Sequence, residues 1–117
     1  MPPMPPGSLV AFVRLSVARR DFAALSRRLR ADGPSPLVGA WNRLKPLERL
    51  AAFKLLPRRG AAEAFKALDA DGRWLAYLGS GRESVAPLLE GAAPSAARRL
   101  RVPSISEQTS MRRALAR

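Results

Sequence analysis

Between Lys45 and Gly91 the apolar positions recur with two periods at once. Over short distances Leu47, Leu50, Ala51 and the Phe53–Leu56 group fall three and four residues apart, the mark of a helix with a broad apolar face. Over longer distances the sequence steps by twelve, from Phe53 to Phe65, Lys54 to Lys66 and Leu56 to Leu68, then more loosely through Leu78 and Leu88 or Leu89 to Leu100. Twelve residues suit one short helix and its turn, so two steps make a helical hairpin of roughly 24 residues, within the range of solenoid repeats. The punctuation agrees. Pro46 and Pro57 stand where helices begin, because the donor that proline lacks would be unused there. Gly72, Gly79 and Gly91 are expected where helices stop or turn. Ser80-Gly81-Arg82-Glu83 and Ser104-Ile105-Ser106-Glu107 both have the capping-box spacing. Helices of roughly nine to twelve residues are marginal alone in water, so stacking must hold them. The pattern predicts an all-α fold: a solenoid of short stacked helical hairpins with one longer N-terminal helix.

The flanks fill in that plan. Residues 1–8 (MPPMPPGS) read as a disordered, proline-rich leader. Leu9–Ala31 reads as the longest helix, with Arg19-Arg20-Asp21 a point where it could divide into two. Its apolar run ends after five residues at Arg14, too early for a membrane span. It also lacks the basic lead of a secretory signal. Asp32-Gly33-Pro34-Ser35-Pro36 is a breaker, and a short helix over Leu37–Leu44 then delivers Trp41 and Leu44 to the repeat. Pro94–Val102 is expected to form another helix covering the open end. Beyond Pro103, Glu107–Arg117 forms a basic helix with Met111 and Leu115 on one side, weakly apolar and expected to fray or await a partner. The domain plan is a leader at 1–8, a helical domain at 9–102 and a basic tail at 103–117.

The segment Leu44–Leu100 carries a resemblance. Pro46-Leu47-Glu48-Arg49, Phe53-Lys54-Leu55-Leu56-Pro57, Ala62-Glu63-Ala64-Phe65 and Leu88-Leu89-Glu90 resemble, in their order, the cytosolic N-terminal domain of MgtE-type magnesium transporters. Arg20-Asp21-Phe22-Ala23-Ala24-Leu25 matches that family's first helices more loosely, and FliG-type flagellar motor switch proteins carry a related helical module. The resemblance implies a cytoplasmic superhelical domain that regulates through other proteins. It does not carry over magnesium sensing, because the family's acidic Asp-Pro-Asp-Asp turn is here Ala93-Pro94-Ser95-Ala96, with no carboxylate for a hard cation that takes several oxygen ligands. These 117 residues also have no room for a nucleotide-sensing domain and a membrane pore, so the expectation is a stand-alone relative.

Composition narrows the chemistry. The chain has no cysteine and no histidine, hence no disulfide, no thiolate metal site, and none of the commonest general base. An enzyme is not expected, nor a cofactor or a bound metal. Net charge is +12, and its two ends are basic: residues 1–35 carry six arginines against Asp21 and Asp32, and residues 92–117 six against Glu107. Arg19, Arg20, Arg27, Arg28, Arg98, Arg99, Arg101, Arg112 and Arg113 are therefore candidate partner or anion contacts, for nucleic acid or an anionic membrane surface. A GC-rich genome would give the same excess of eighteen arginines over three lysines without any ligand. Trp41, Trp74 and Tyr77 are candidate groove or core aromatics, with base stacking as the alternative. Asp69 and Asp71 are read as helix caps rather than metal ligands. Lys45, Glu48, Glu63 and Lys66 are read as surface ion pairs. The function expected is a non-catalytic interaction or regulatory module that binds a protein partner, with nucleic-acid binding through the basic ends as the alternative.

Overall fold

In the computed structural model, which describes residues 6–90 and 92–115, each twelve-residue step is a ten-residue helix and a two-residue extended link. α4 spans Pro46–Leu55 and α5 spans Arg58–Ala67, with α6 at Ala70–Leu78. The links are Leu44-Lys45, Leu56-Pro57 and Leu68-Asp69, all near φ −70 to −90° with ψ beyond 140° except that Pro57 lies at φ −58°. In two of them a proline sets the turn, Pro46 after Lys45 and Pro57 after Leu56: the pyrrolidine ring crowds the preceding residue out of the α region. In the third, the Asp69 carboxylate accepts a 2.7 Å bond from the Gly72 amide and restarts the helix. The leucine that opens every link is buried. The step therefore alternates a helix with a leucine pin.

The structure extends the register beyond what the sequence suggested. Trp41, Phe53, Phe65 and Tyr77 stand twelve apart; the first three are core residues and Tyr77 packs partly against them. A second device repeats at 24. Arg49 donates to the carbonyls of Trp41 (2.7 Å) and Asn42 (3.4 Å). Arg73 donates to those of Phe65 (3.1 Å) and Lys66 (2.6 Å). Each guanidinium thus reaches back seven and eight residues to carbonyls at the end of the preceding helical stretch, adding a donor at the negative end of that stretch.

Ahead of the repeat lie α1 (Pro6–Ala18), α2 (Phe22–Asp32) and α3 (Ser35–Ala40), the last running into a 3-10 turn at Trp41–Arg43. After it come a 3-10 turn at Arg82–Val85, α7 (Ala86–Leu89), α8 (Pro94–Ala97) and α9 (Ile105–Leu115). Among the described residues there is no strand, and the fold class is all-α. Packing alternates along the chain: α1 lies on α2 and α3, α2 on α4, α3 on α5, and α4 on α6. α8 then returns to α2 and α9 covers α6, so the helices cluster within 37 × 35 × 21 Å. Phe22, Leu25, Leu29 and Leu37 are fully enclosed where α2 and α3 meet the repeat.

Several local expectations change. The long N-terminal helix is two helices, because Arg20 adopts φ +56° and Asp21 caps the second through the Ala24 amide at 3.2 Å. That left-handed turn costs an L-residue about 1–2 kcal/mol. Arg20 offsets it by donating to the carbonyls of Val17 (2.7 Å) and Pro87 (3.2 Å). Residues 6–8, expected in the leader, belong to α1, which starts at Pro6; the rest of that expected leader, residues 1–5, lies outside the described residues, as do Gly91 and residues 116–117. Gly72 sits in the first turn of α6, not at a helix end, whereas Gly79 caps its C-terminus. Gly81, not Ser80, precedes the next helical turn and makes no side-chain cap. The expected helix at Pro94–Val102 is one turn, Pro94–Ala97. α9 does not wait unpaired: it packs on α6, with Met111 buried.

Gly79 gives a stability test. A Cβ there would overlap Leu50 Cδ2 and lie 3.0 Å from its Cγ, and Leu50 is itself buried. Gly79→Ala should cost about 1–3 kcal/mol through overpacking, read as a lower urea midpoint with an unchanged slope.

Candidate binding cleft and the lysine knot beneath it

α9 and α5 face each other across a cleft of about 290 Å3. Its floor comes from the repeat: Phe53, Ala61 and Phe65, joined by Met111 of α9, are all buried core residues. The rim is polar, with Arg58 and Lys66 on the α5 side and Ser106, Glu107 and Ser110 on the α9 side. Volume near 300 Å3 is the low end for a small-molecule pocket. It accommodates a few side chains better than a whole enclosed ligand.

The segment Leu100–Glu107 holds the cleft's second wall in place through a knot centred on Lys54. Lys54 is only 3% exposed. Its ammonium donates to the carbonyls of Ser80 (2.6 Å) and Arg101 (3.1 Å), and the Arg101 amide donates back to the Lys54 carbonyl at 3.2 Å. The Arg101 guanidinium also reaches the Leu56 carbonyl (3.2 Å) and the Glu107 carboxylate (3.5 Å). Glu107 accepts in turn from Arg58 Nε at 2.9 Å. Its own amide is capped by Ser104 Oγ at 3.2 Å, so half of the second capping box forms while its carboxylate is drawn away to the two arginines. Burial above all, and the Arg101 guanidinium next, hold the Lys54 pKa below the usual 10.5; the Glu83 carboxylate works in the opposite direction and Arg82 adds to the lowering. A buried amine with two carbonyl acceptors is a structural tie between α4, the loop after α6 and the C-terminal segment.

The basic residues singled out in the sequence divide. Arg20 and Arg101 are internal struts, as described. Arg28 pairs with Asp32 at 2.6 Å and lies 5.1 Å over the Phe12 ring. Arg112 donates to the Tyr77 hydroxyl at 3.0 Å. Arg19, Arg27, Arg98, Arg99 and Arg113 are exposed. The packing of α8 on α2 sets Arg98 and Arg99, which directly follow α8, close to the helix that bears Arg27. The aromatics divide as well. Trp41 is core, 3% exposed and edge-on to Phe53 with 6.3 Å between ring centres. Trp74 is 48% exposed and edge-on to Tyr77 at 6.4 Å; Leu78, one turn on, is 68% exposed. Glu48 pairs with Arg14 (3.6 Å) and accepts from the Lys45 amide (2.8 Å), so it is a cap and a cross-helix tie rather than a partner of the Lys45 side chain.

Lys54 and the cleft escaped the sequence reading. The twelve-residue step pairs Lys54 with Lys66, and nothing local says that the first is buried while the second is exposed. The signal available was position: Lys54 falls inside the unbroken run Leu50–Leu56 that is otherwise apolar, where a solvated lysine has no outward face. Among the described residues no group of three or more carboxylates gathers where a cation would sit, and no helix is long and apolar enough to cross a membrane. Comparison with family models, with curated proteins and with solved structures finds no match for this chain.

Proposed function

We propose that the protein is a non-catalytic helical interaction module that works in the cytoplasm by binding a protein partner. One observation carries this reading. A tightly packed repeat leaves apolar surface open in the cleft floored by Phe53 and Phe65 and on the outer face of α6 at Trp74 and Leu78. An apolar recess and exposed large apolar residues are each a usual mark of a contact surface. The carboxylate in the cleft, Glu107, is held by Arg58 and Arg101, and the other ionisable side chain lining it is the cationic Lys66, a set that does not pair an acid with a base. The ordered words shared with the MgtE-type N-terminal domain support the same class of role. They point to a membrane transport protein, whose activity the module would tune, as the first partner to examine.

A second reading rests on the packing of α8 on α2, which draws the two arginine-rich ends of the sequence together. It would make the protein an accessory nucleic-acid binder. Affinity capture from source-cell extract separates the two. The wild-type bait is expected to retain a protein that a bait carrying Ala62→Trp, Trp74→Ser and Leu78→Ser does not. Nuclease-sensitive retention, equal for both baits and falling steeply as salt rises, would contradict the first reading and support the second.

A further inference from the structure

The cleft between α5 and α9 also specifies what should enter it, given the interaction reading above. Its floor is apolar along two helices that border one groove, the arrangement that receives the apolar face of a third helix. Its rim is basic. Arg58 and Lys66 stand eight residues apart on α5, about 12 Å along the helix axis. Glu107 is the acidic residue among those lining the cleft, and both Arg58 and Arg101 already bind its carboxylate. Two lining cations, Arg58 and Lys66, against one lining carboxylate, itself also held by Arg101 from behind, leave the rim positive. Arg112 and Arg113 follow on the exposed side of α9, and the chain as a whole carries +12. A partner that seats apolar side chains on the floor thus meets positive charge where its flanks emerge. Nucleic acid would match the rim but not the floor, which is an apolar recess of about 290 Å3 between helices that takes aliphatic side chains and is not an exposed ring platform on which a base stacks.

We infer that this cleft binds an acidic amphipathic helix of a protein partner, with its apolar stripe against Phe53, Phe65 and Met111 and its carboxylates toward Arg58 and Lys66. Complementary charge of this kind sets orientation and excludes wrong partners more than it adds affinity. Arg58 of α5 and Arg101 both hold Glu107 of α9, so the two walls are tied to each other before the partner arrives and need little ordering on binding.

The test uses two fluorescent peptides of about 18 residues. Both carry leucines at three- and four-residue spacing; one has glutamate on its polar face, the other lysine. Fluorescence anisotropy should show the glutamate peptide binding with Kd on the order of 10 μM and the lysine peptide not binding. Ala62→Trp places a large ring in the cleft from an exposed position and should weaken binding at least tenfold. Lys66→Glu should weaken it about threefold, with a smaller salt dependence than wild type. If Ala62→Trp fails to give the wild-type circular dichroism spectrum, Ser110→Trp blocks the same space from α9. Equal binding of both peptides, unchanged affinity in the blocked variants, or no binding at 1 mM would overturn the inference. So would displacement of the peptide by oligothymidylate or by anionic vesicles in wild type but not in the blocked variant, each of which would assign the cleft to that ligand instead. Loss of peptide binding alongside intact, Trp74- and Leu78-dependent protein capture would reject the acidic ligand and leave the interaction module standing.

Discussion

Trp41→Ala is expected to remove about 3–5 kcal/mol of unfolding free energy, and Trp74→Ala no more than about 1. The two tryptophans look alike in the sequence, each a large ring on a short helical stretch. Their surroundings decide the difference. Trp41 is 3% exposed, meets Phe53 edge-on and presses its indole nitrogen toward Gly72 of α6, where an added Cβ would lie only 3.1 Å away. Truncation would leave a cavity between helices whose backbones are pinned by the leucine links, so collapse is limited and the cavity term remains. Among the described residues the indole nitrogen has no hydrogen-bond partner, which sets the expected cost toward the lower part of that range, since deletion also removes a buried orphan donor. Trp74, 48% exposed, has far less buried surface to lose, its edge contact with Tyr77 included. Urea unfolding followed by far-ultraviolet circular dichroism measures both. Similar losses for the two variants would mean that the aromatic register at twelve residues does not organise the core.

Lys54→Ala should cost about 2–4 kcal/mol at neutral pH. The substitution deletes a buried aliphatic stem and leaves the carbonyls of Ser80 and Arg101 without their donor, at about 1–3 kcal/mol for each group left unsatisfied. The cost of burying an ammonium, which disappears with it, offsets part of the loss. The pH dependence gives a separate signature. The folded-state pKa lies below 10.5, the unfolded value. Between the two, the unfolded chain binds more protons than the folded one, so this group makes stability rise with pH across that window. Below the folded-state pKa the desolvation cost is present in full and constant. Urea midpoints taken upward from pH 7 should therefore climb more in wild type than in Lys54→Ala as pH approaches 10.5. Parallel curves would mean that the amine is hydrated and the knot is not closed.

The repeat was legible because it is local. Pro46 and Pro57 fix the extended links from their own neighbours, and the three- and four-residue spacing of Leu47, Leu50 and Ala51 needs no tertiary knowledge. The division at Arg19-Arg20-Asp21 was legible only as a possibility: Asp21 is a good cap, but the left-handed Arg20 depends on reaching the Pro87 carbonyl, 67 residues away. The candidate site was hardly legible at all. Its floor is core sequence, indistinguishable in pattern from apolar residues that end up covered. Its second wall depends on Arg101 and Glu107 docking onto α4 and α5, through contacts 45 and 49 residues apart in sequence. Arg101 illustrates the general difficulty. In sequence it belongs to a basic cluster with Arg98 and Arg99, which are exposed; in the fold it caps the carbonyl end of α4.

The repeat builds a scaffold, and its proposed working surface is the α5–α9 cleft. Amide-resolved NMR of the labelled protein during titration with the glutamate peptide tests it most directly. The largest shift changes are expected in α5 from Arg58 to Lys66 and in α9 from Ser106 to Ala114, with α2 and α8 unmoved. Changes centred on Arg27, Arg98 and Arg99, with α5 and α9 silent, would contradict it.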